Sequence, residues 1–146
     1  MSDLDGDYDP DNIFAKIVRG EASCHRVFED ADTLAFMDLF PQAPGHALVI
    51  HKQATARNLL EVDLADLAPV MATVQKVGRA MVKAFKPDGL AVMQFNGAAS
   101  GQTIFHLHVH LLPRWAGRPL GLHAQKMADP AELAEQARAI AAAIEA

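Results

Sequence analysis

Three histidines alternate with large apolar residues in the last third of the chain. Residues 105–112 read FHLHVHLL and place His106, His108 and His110 two positions apart. Successive side chains of a β-strand point to opposite faces of the sheet, so this spacing predicts three imidazoles on one face and an apolar opposite face. A neutral imidazole can attack an electrophile, transfer protons or bind a metal ion. The pattern therefore predicts a strand that carries a reactive site.

Metal binding and nucleophilic catalysis are the two chemistries that this pattern allows. At about 3.4 Å per residue, the Cα atoms of His106 and His110 lie about 13 Å apart, too far for both rings to reach ~2 Å from one ion. A metal site would therefore use two of the three rings and a further ligand such as His46 or His51. In the catalytic alternative, one neutral imidazole attacks while its neighbours orient it and stabilise charge.

The segment before the histidines favours the catalytic alternative. Residues 96–103 read NGAASGQT. Glycines allow backbone amides to approach an anion closely, and the side chains of Gln102 and Thr103 offer neutral hydrogen-bond donors. Such a loop beside imidazoles suits a phosphate group, although the same residue types also form ordinary hairpin turns.

The histidine pattern resembles the signature of the histidine triad (HIT) family, His-φ-His-φ-His-φ-φ with φ apolar. Residues 106–112 match this signature at every position. The similarity continues in three further segments, which read IFAKIVRGE over 13–21, AFMD over 35–38 and PGHALVI over 44–50. The resemblance therefore extends over about residues 12–114.

The resemblance implies a fold and a reaction. The expected fold is an α+β domain with a five-stranded antiparallel sheet, and the expected assembly is a homodimer. The expected activity is hydrolysis or transfer of nucleotidyl groups. By position, His108 would attack the α-phosphorus and form a nucleotidyl-histidine intermediate. His110 would lie against the same phosphate, and His106 and His46 would orient the rings around them.

The resemblance also implies a set of nucleotide contacts. Asp38 matches the acid that holds the ribose hydroxyls. Leu39, Phe14 and Ile17 would make apolar contacts to the base, although Phe14 and Ile17 could equally be ordinary core residues. Asn96 would make a further polar contact to the nucleotide. Contacts to the phosphate or leaving group would come from Gly101, Gln102 and Thr103.

The favoured substrates are purine nucleotide conjugates of the adenosine phosphoramidate type, as in the Hint branch of the family. No metal or cofactor is expected, and Asn12 and Ala15 stand where some family members have a zinc-binding Cys-x-x-Cys motif. One alternative is a dinucleoside polyphosphate hydrolase of the Fhit type, which residues 101–103 and 112–114 would also suit. A nucleotide-binding regulatory protein and a metal-binding protein are alternatives of other classes.

Periodicity and turn signals predict the elements that must position these residues. A short helix capped by Asn12 should be followed by three strands, a long helix, two further strands and a C-terminal helix. The long helix should begin near Asp66, so that Pro69 falls in its first turn. Its buried face should carry Leu64, Leu67, Met71, Val74, Gly78, Met81 and Phe85. The predicted helices span residues 12–18, about 66–85, and from about 129 onward. The predicted strands span 25–29, 33–38, 46–51, 90–95 and 104–112, and Pro113 should end the last of them.

Length and charge limit the organisation and the partners. The 146 residues suit one domain, 12–146, behind an acidic tail, 1–11, that carries five of the 18 acidic residues. We expect this tail to be mobile and its removal to leave turnover almost unchanged. The remaining 13 acidic and 13 basic residues form no basic stripe, so neither nucleic acid nor a membrane is an expected partner. A single cysteine, Cys24, and the lack of an apolar leader predict a cytoplasmic protein.

Overall fold

The computed structural model describes residues 4–119 and 127–144. It contains one five-stranded antiparallel sheet with the strand order β1-β2-β3-β5-β4. A single 3₁₀ turn, Ala98–Ser100, precedes the last strand. The strands are β1 Arg26–Glu29, β2 Thr33–Met37, β3 Ala47–His51, β4 Gly89–Met93 and β5 His108–Arg114, and the helices are α1 Ile13–Val18, α2 Leu64–Phe85 and α3 Pro130–Ala143.

The two faces of the sheet bury two separate apolar clusters. Alternate residues of β2, β3 and β5 pack against α2 and α3 on one face, and the residues between them pack against α1 on the other. Every residue of β2 and β3 is buried. The first cluster includes Met37, Val49, Leu111, Val77 and Ile140; the second includes Phe14, Ile17, Phe36, Leu48 and Ile50.

The structure confirms the predicted fold class and the caps of the two outer helices. Asn12 caps α1 by accepting a hydrogen bond from the amide of Ala15, at 2.9 Å. Asp129 caps α3 by accepting from the amide of Ala131, and Pro130 occupies the first turn. These signals are local in sequence, which is why they could be recognised without the tertiary structure.

The prediction for α2 was wrong in its start and, at Leu64 and Met71, in its buried face, whereas Val74, Gly78 and Met81 are buried as predicted. The helix begins at Leu64 and is capped by Asp63, so Pro69 lies beyond the first turn and removes one hydrogen bond from the helix interior. Leu64 and Met71, expected in the core, are 76% and 41% exposed. The face that packs on the sheet instead carries Val70, Thr73, Val74, Val77, Gly78, Ala80 and Met81.

The last two strands also differ from their predicted bounds. β5 continues through Pro113 to Arg114, because Pro113 lies past the last pair that β5 forms with β3, Ala47 with Leu111. β5 begins only at His108, so His106 lies in the segment before the strand rather than on its face. β4 ends at Met93 instead of 95.

The acidic N-terminal segment lies against the domain from residue 4 onward. The carbonyl of Leu4 accepts a hydrogen bond from Asn58 Nδ2 at 3.0 Å, and the Tyr8 hydroxyl lies 2.7 Å from His106 Nδ1. This differs from the mobile tail that the composition predicts. The prediction rests on the number of charged residues, whereas the two anchoring contacts join residues that are far apart in sequence. No helix among the described residues is long and apolar enough to cross a membrane.

Candidate active site

A cavity of about 390 Å³ opens between α1, the ends of β2 and β3, and β5. Pockets for small ligands have volumes of about 300–1,000 Å³ and are mostly apolar with few polar groups. Here the polar groups of interest are the imidazoles of His108 and His110, the carboxylate of Asp38 and the hydroxyl of Thr103. The other lining residues are Ile13, Phe14, Ile17, Ser23, Cys24, Phe36, Met37, Leu39, Phe40, Leu48 and Ile104.

The backbone of His106 determines the tautomer of His108. The Nδ1 atom of His108 lies 2.7 Å from the carbonyl oxygen of His106. A carbonyl oxygen only accepts hydrogen bonds, so Nδ1 carries the proton and Nε2 keeps its lone pair. The ring is fixed further by the edge of the Phe14 ring, with centroids 4.9 Å apart. His108 is thus a neutral imidazole with a nucleophilic Nε2 at the cavity wall.

His110 has the opposite tautomer. The amide of Gln42 donates to Nδ1 of His46 at 3.1 Å, so His46 carries its proton on Nε2. That Nε2 lies 2.9 Å from Nδ1 of His110 and donates to it, which leaves the His110 proton on Nε2. The rings of His108 and His110 are 4.9 Å apart between centroids. The cavity wall therefore carries one imidazole acceptor beside one imidazole donor.

His106 lies outside the cavity and contacts the site through its backbone. Its Nε2 lies 3.1 Å from the carbonyl oxygen of His51, so Nε2 carries the proton and Nδ1 accepts from the Tyr8 hydroxyl. His51 is buried and accepts the amides of Gln53 and Ala54 at its own Nδ1. His106 thus holds the segment that leads into β5.

Burial keeps the key imidazoles neutral. Removal from water lowers the pKa of His106 to about 4. Burial also lowers the pKa of His108, and the hydrogen bond to the His106 carbonyl opposes this shift in part. A nucleophilic imidazole must be unprotonated, so the lowered pKa of His108 keeps it reactive under mildly acidic conditions.

The predicted base and ribose contacts meet at the cavity. Asp38, Leu39, Phe14 and Ile17 all line it, and Phe14 and Ile17 also belong to the apolar cluster beneath α1. One oxygen of Asp38 accepts the amide of Phe40 at 2.9 Å, and the other lies 3.5 Å from Nε2 of His46. The carboxylate therefore borders both the nucleoside-sized cavity and the imidazole pair.

The residues of the glycine-containing loop divide between two roles. Thr103 lines the cavity, whereas Gln102 is buried in the loop, where it accepts the amide of Gly97 and donates to the carbonyls of Arg57 and Ile104. Gly101 has φ +117°, which a side chain would disfavour. Asn96 accepts the amide of Leu59 and the Nε2 of Gln94 and is not among the cavity-lining residues. The loop thus uses its amides and amide side chains largely to hold its own shape.

Several residues that shape the site have no sequence signal of their own. Phe36 reaches the cavity from β2, and Cys24 and Phe40 reach it from the loops before β1 and after β2. Each is an unremarkable apolar or weakly polar residue in sequence. Tyr8 is the one tyrosine of the chain, and this could have drawn notice within an otherwise acidic segment. Its partner His106 is 98 residues away, so no local pattern could pair them.

The fold and the site together are a five-stranded antiparallel sheet and a cavity of about 390 Å³ with two imidazoles in its wall. A HIT domain family model matches residues 19–117, so the chain belongs to the histidine triad family. It is 49% identical to a Hit-like protein involved in cell-cycle regulation from Bartonella henselae, with a TM-score of 0.88 over 95% of this chain and 100% of that one.

Two relatives have named activities. The chain is 39% identical over 104 residues to the adenosine 5'-monophosphoramidase hnt1 of Schizosaccharomyces pombe, over 70% of this chain and 73% of that protein. It is 37% identical over 123 residues to the adenylylsulfatase HINT3 of Arabidopsis thaliana. That match covers 80% of this chain but only 62% of HINT3.

The lowered pKa of His106 predicts that acid destabilises the protein. The unfolded chain takes up this proton near pH 6.5 and the folded protein only near pH 4, so the stabilisation is complete above 6.5 and is lost as the pH falls toward 4. The loss from this residue should be about 3 kcal/mol. Urea unfolding at about pH 7 and about pH 4.5 measures it, and His106→Gln should weaken the pH dependence. Equal pH dependence in both proteins would contradict the assignment.

Proposed function

We propose that this protein hydrolyses or transfers the nucleotidyl group of purine nucleotide conjugates, of the adenosine phosphoramidate type, through a nucleotidyl-His108 intermediate. The observation that carries this proposal is the pair of opposite tautomers at the cavity wall. His108 presents a lone pair and His110 presents an N–H group, with 4.9 Å between the ring centroids. One can attack phosphorus while the other donates to the departing group.

In the first step, Nε2 of His108 forms a bond to the α-phosphorus and the bond from phosphorus to the leaving nitrogen breaks. The leaving amine takes the Nε2 proton of His110 as a proton from solvent replaces it. The carboxylate of Asp38 lies beside the His46–His110 pair, 3.5 Å from Nε2 of His46. The Nδ1–H group of His108 stays hydrogen-bonded to the His106 carbonyl, and this hydrogen bond stabilises the positive charge that develops on the His108 ring.

In the second step, water attacks the same phosphorus and the bond to Nε2 of His108 breaks. The proton released by the water passes to solvent, which balances the proton taken up in the first step, so His108 is again neutral and the His46–His110 pair holds the same protons as at the start. Transfer differs from hydrolysis only in the acceptor that replaces water. The backbone partners of the rings remain unchanged through both steps, which limits the reorganisation that each step requires.

The cavity suits the nucleoside half of such a substrate. Its apolar wall, formed in part by Phe14, Ile17 and Leu39, would contact the base, and Asp38 would accept hydrogen bonds from the ribose hydroxyls. Two relatives named for reactions of adenosine nucleotide conjugates, the phosphoramidase and the adenylylsulfatase, support this choice of substrate class. The balanced charge of residues 12–146 and the lone, half-buried Cys24 support a small-molecule partner and a cytoplasmic location.

The nucleophile predicts a specific outcome for His108→Asn. We expect kcat for an adenosine phosphoramidate to fall by at least about 10³-fold, because no covalent intermediate can form, while the Kd for AMP changes by less than about threefold. Steady-state turnover measures the fall in kcat, and the intact mass of the protein after mixing with substrate shows whether the nucleotidyl adduct forms. His25→Asn is the matched control, since His25 is not among the cavity-lining residues. Undiminished turnover by His108→Asn would contradict the proposal.

A substrate panel distinguishes the related functions. The kcat/KM values of the wild-type protein for an adenosine phosphoramidate, an aminoacyl-adenylate and a diadenosine polyphosphate should rank the phosphoramidate or aminoacyl-adenylate first. A preference for the diadenosine polyphosphate would favour a dinucleoside polyphosphate hydrolase. AMP binding without turnover of any of the three would favour a nucleotide-binding regulatory protein.

We further propose that the reaction requires no metal ion, although three groups lie close enough to hold one. Asp38, His46 and His110 each place a ligand atom within 4.8 Å of the others. Two nitrogens bound to one tetrahedral zinc at about 2.0–2.1 Å would stand about 3.3 Å apart. The 2.9 Å between His46 Nε2 and His110 Nδ1 is instead a hydrogen-bond distance, which favours a shared proton.

Chelation tests this assignment. After dialysis against a chelator, kcat/KM should stay within about twofold of its initial value, because the imidazole pair and not an ion supplies the proton. Elemental analysis of the untreated protein provides the control. One tightly bound ion per chain, together with lost activity after its removal, would contradict a metal-free reaction.

We also propose that the protein is a homodimer formed through α2 and β4. Leu64, Met71 and Val82 project from one face of α2 at helical spacing and are 76%, 41% and 46% exposed. Gly78 lies on the same helix close to Leu90 of β4, where an added Cβ would be 3.1 Å from the Leu90 side chain. β4 is an edge strand with Val92 48% exposed. A second copy could cover both the apolar face and the strand edge.

A charge placed on this face should separate the protomers. Met71→Glu is expected to convert a dimer into a monomer in light scattering coupled to size exclusion, because an unpaired carboxylate would be buried in the interface. Ala142→Glu adds the same charge to an exposed position of α3 and should leave the dimer intact. A wild-type monomer, or an unaffected Met71→Glu dimer, would contradict this interface.

A further inference from the structure

The N-terminal segment 4–11 is held by hydrogen bonds near both of its ends. The Leu4 carbonyl accepts from Asn58 Nδ2 at 3.0 Å, and the Pro10 carbonyl accepts from Arg19 at 2.6 Å. Between them, Gly6 lies against the guanidinium of Arg57, where an added Cβ would be 3.3 Å from the nearest nitrogen. These contacts place Tyr8, the half-buried residue between the anchors, against the ring of His106.

The hydrogen-bond partners of His106 determine which way the Tyr8 contact runs. Nε2 of His106 donates to the carbonyl of His51, so its Nδ1 has no proton to give. The Tyr8 hydroxyl, 2.7 Å from that Nδ1, must therefore be the donor. Both ring nitrogens of His106 are then satisfied in one tautomer and one orientation, with the imidazole neutral.

The orientation of His106 matters because its backbone carbonyl holds the nucleophile. That carbonyl accepts Nδ1–H of His108 at 2.7 Å and so leaves the lone pair on Nε2. His106 lies just before β5, in a segment without strand pairing, where the amide of Leu107, in the same peptide unit as the His106 carbonyl, donates to the carbonyl of Ala56 at 3.0 Å. The His106 ring, held by Tyr8 on one side and by the His51 carbonyl on the other, adds a second restraint on that carbonyl.

We propose that Tyr8 is a positioning residue for catalysis, which acts through His106 to fix the tautomer and orientation of His108. The N-terminal segment is therefore part of the working enzyme, contrary to the expectation that its removal leaves turnover almost unchanged. Tyr8 is not among the cavity-lining residues, so it contributes to turnover without contacting the nucleotide. This inference rests on the proposed function for its kinetic part.

Tyr8→Phe tests the proposal, since it removes the hydroxyl and keeps the ring whose centroid lies 5.8 Å from that of His106. We expect kcat to fall about three- to tenfold, as for the loss of one hydrogen bond, and the Kd for AMP to stay within about twofold. Asp7→Asn, an exposed neighbour in the same segment, is the matched control and should match the wild-type protein. Unchanged kcat in Tyr8→Phe, or equal losses in kcat and AMP affinity, would overturn the proposal.

Nitrogen NMR of the histidine side chains provides a measurement that does not depend on turnover. In Tyr8→Phe the Nδ1 resonance of His106 should move toward that of a free imine nitrogen, and the Nδ1–H resonance of His108 should also shift. The Asp7→Asn spectrum should match that of the wild-type protein. An unchanged His108 resonance would overturn the coupling. If the wild-type protein turned over no substrate of the panel, the proposed function would fail while these spectra still decided the role of Tyr8.

Discussion

The hydrogen bond from Nδ1 of His108 to the carbonyl of His106 is the interaction on which the site depends. It uses the one backbone group that cannot donate, so it determines without ambiguity which nitrogen of His108 keeps a lone pair. The same principle operates in reverse at His46, where the amide of Gln42 can only donate. Two backbone groups thus give two neighbouring imidazoles opposite roles.

The sheet makes this arrangement possible by burying the rings beside a partly apolar cavity. Burial lowers the pKa of His106 and His108 and keeps both imidazoles neutral. The 13 acidic and 13 basic residues after position 11 provide no long-range attraction for anions. In the proposed reaction, recognition of the phosphate would therefore be a local matter of imidazoles and neutral donors.

Local signals predicted most of the fold. Asn12 and Asp129 correctly predicted the starts of two helices. The alternation of apolar residues predicted the strand bounds to within one or two positions, except at β5. The errors arose where a partner element decided the outcome. Pro113 is tolerated because β3 has already ended beside it, and Pro69 lies inside α2 because Asp63 caps the helix one turn earlier than Asp66 could. Neither neighbour is visible from the proline itself.

By itself, the sequence determined the order of the elements and the alternation of the three histidines, because spacing along a strand or helix follows from backbone geometry alone. The fold class and the expected contacts of Asp38 and Leu39 followed from the resemblance to the histidine triad family. The tertiary structure decided what each polar residue does. Gln102 stabilises its own loop, His106 acts through its backbone, and Tyr8 reaches a histidine 98 positions away. Such roles depend on which donor meets which acceptor, and only the folded chain brings those atoms within hydrogen-bond distance.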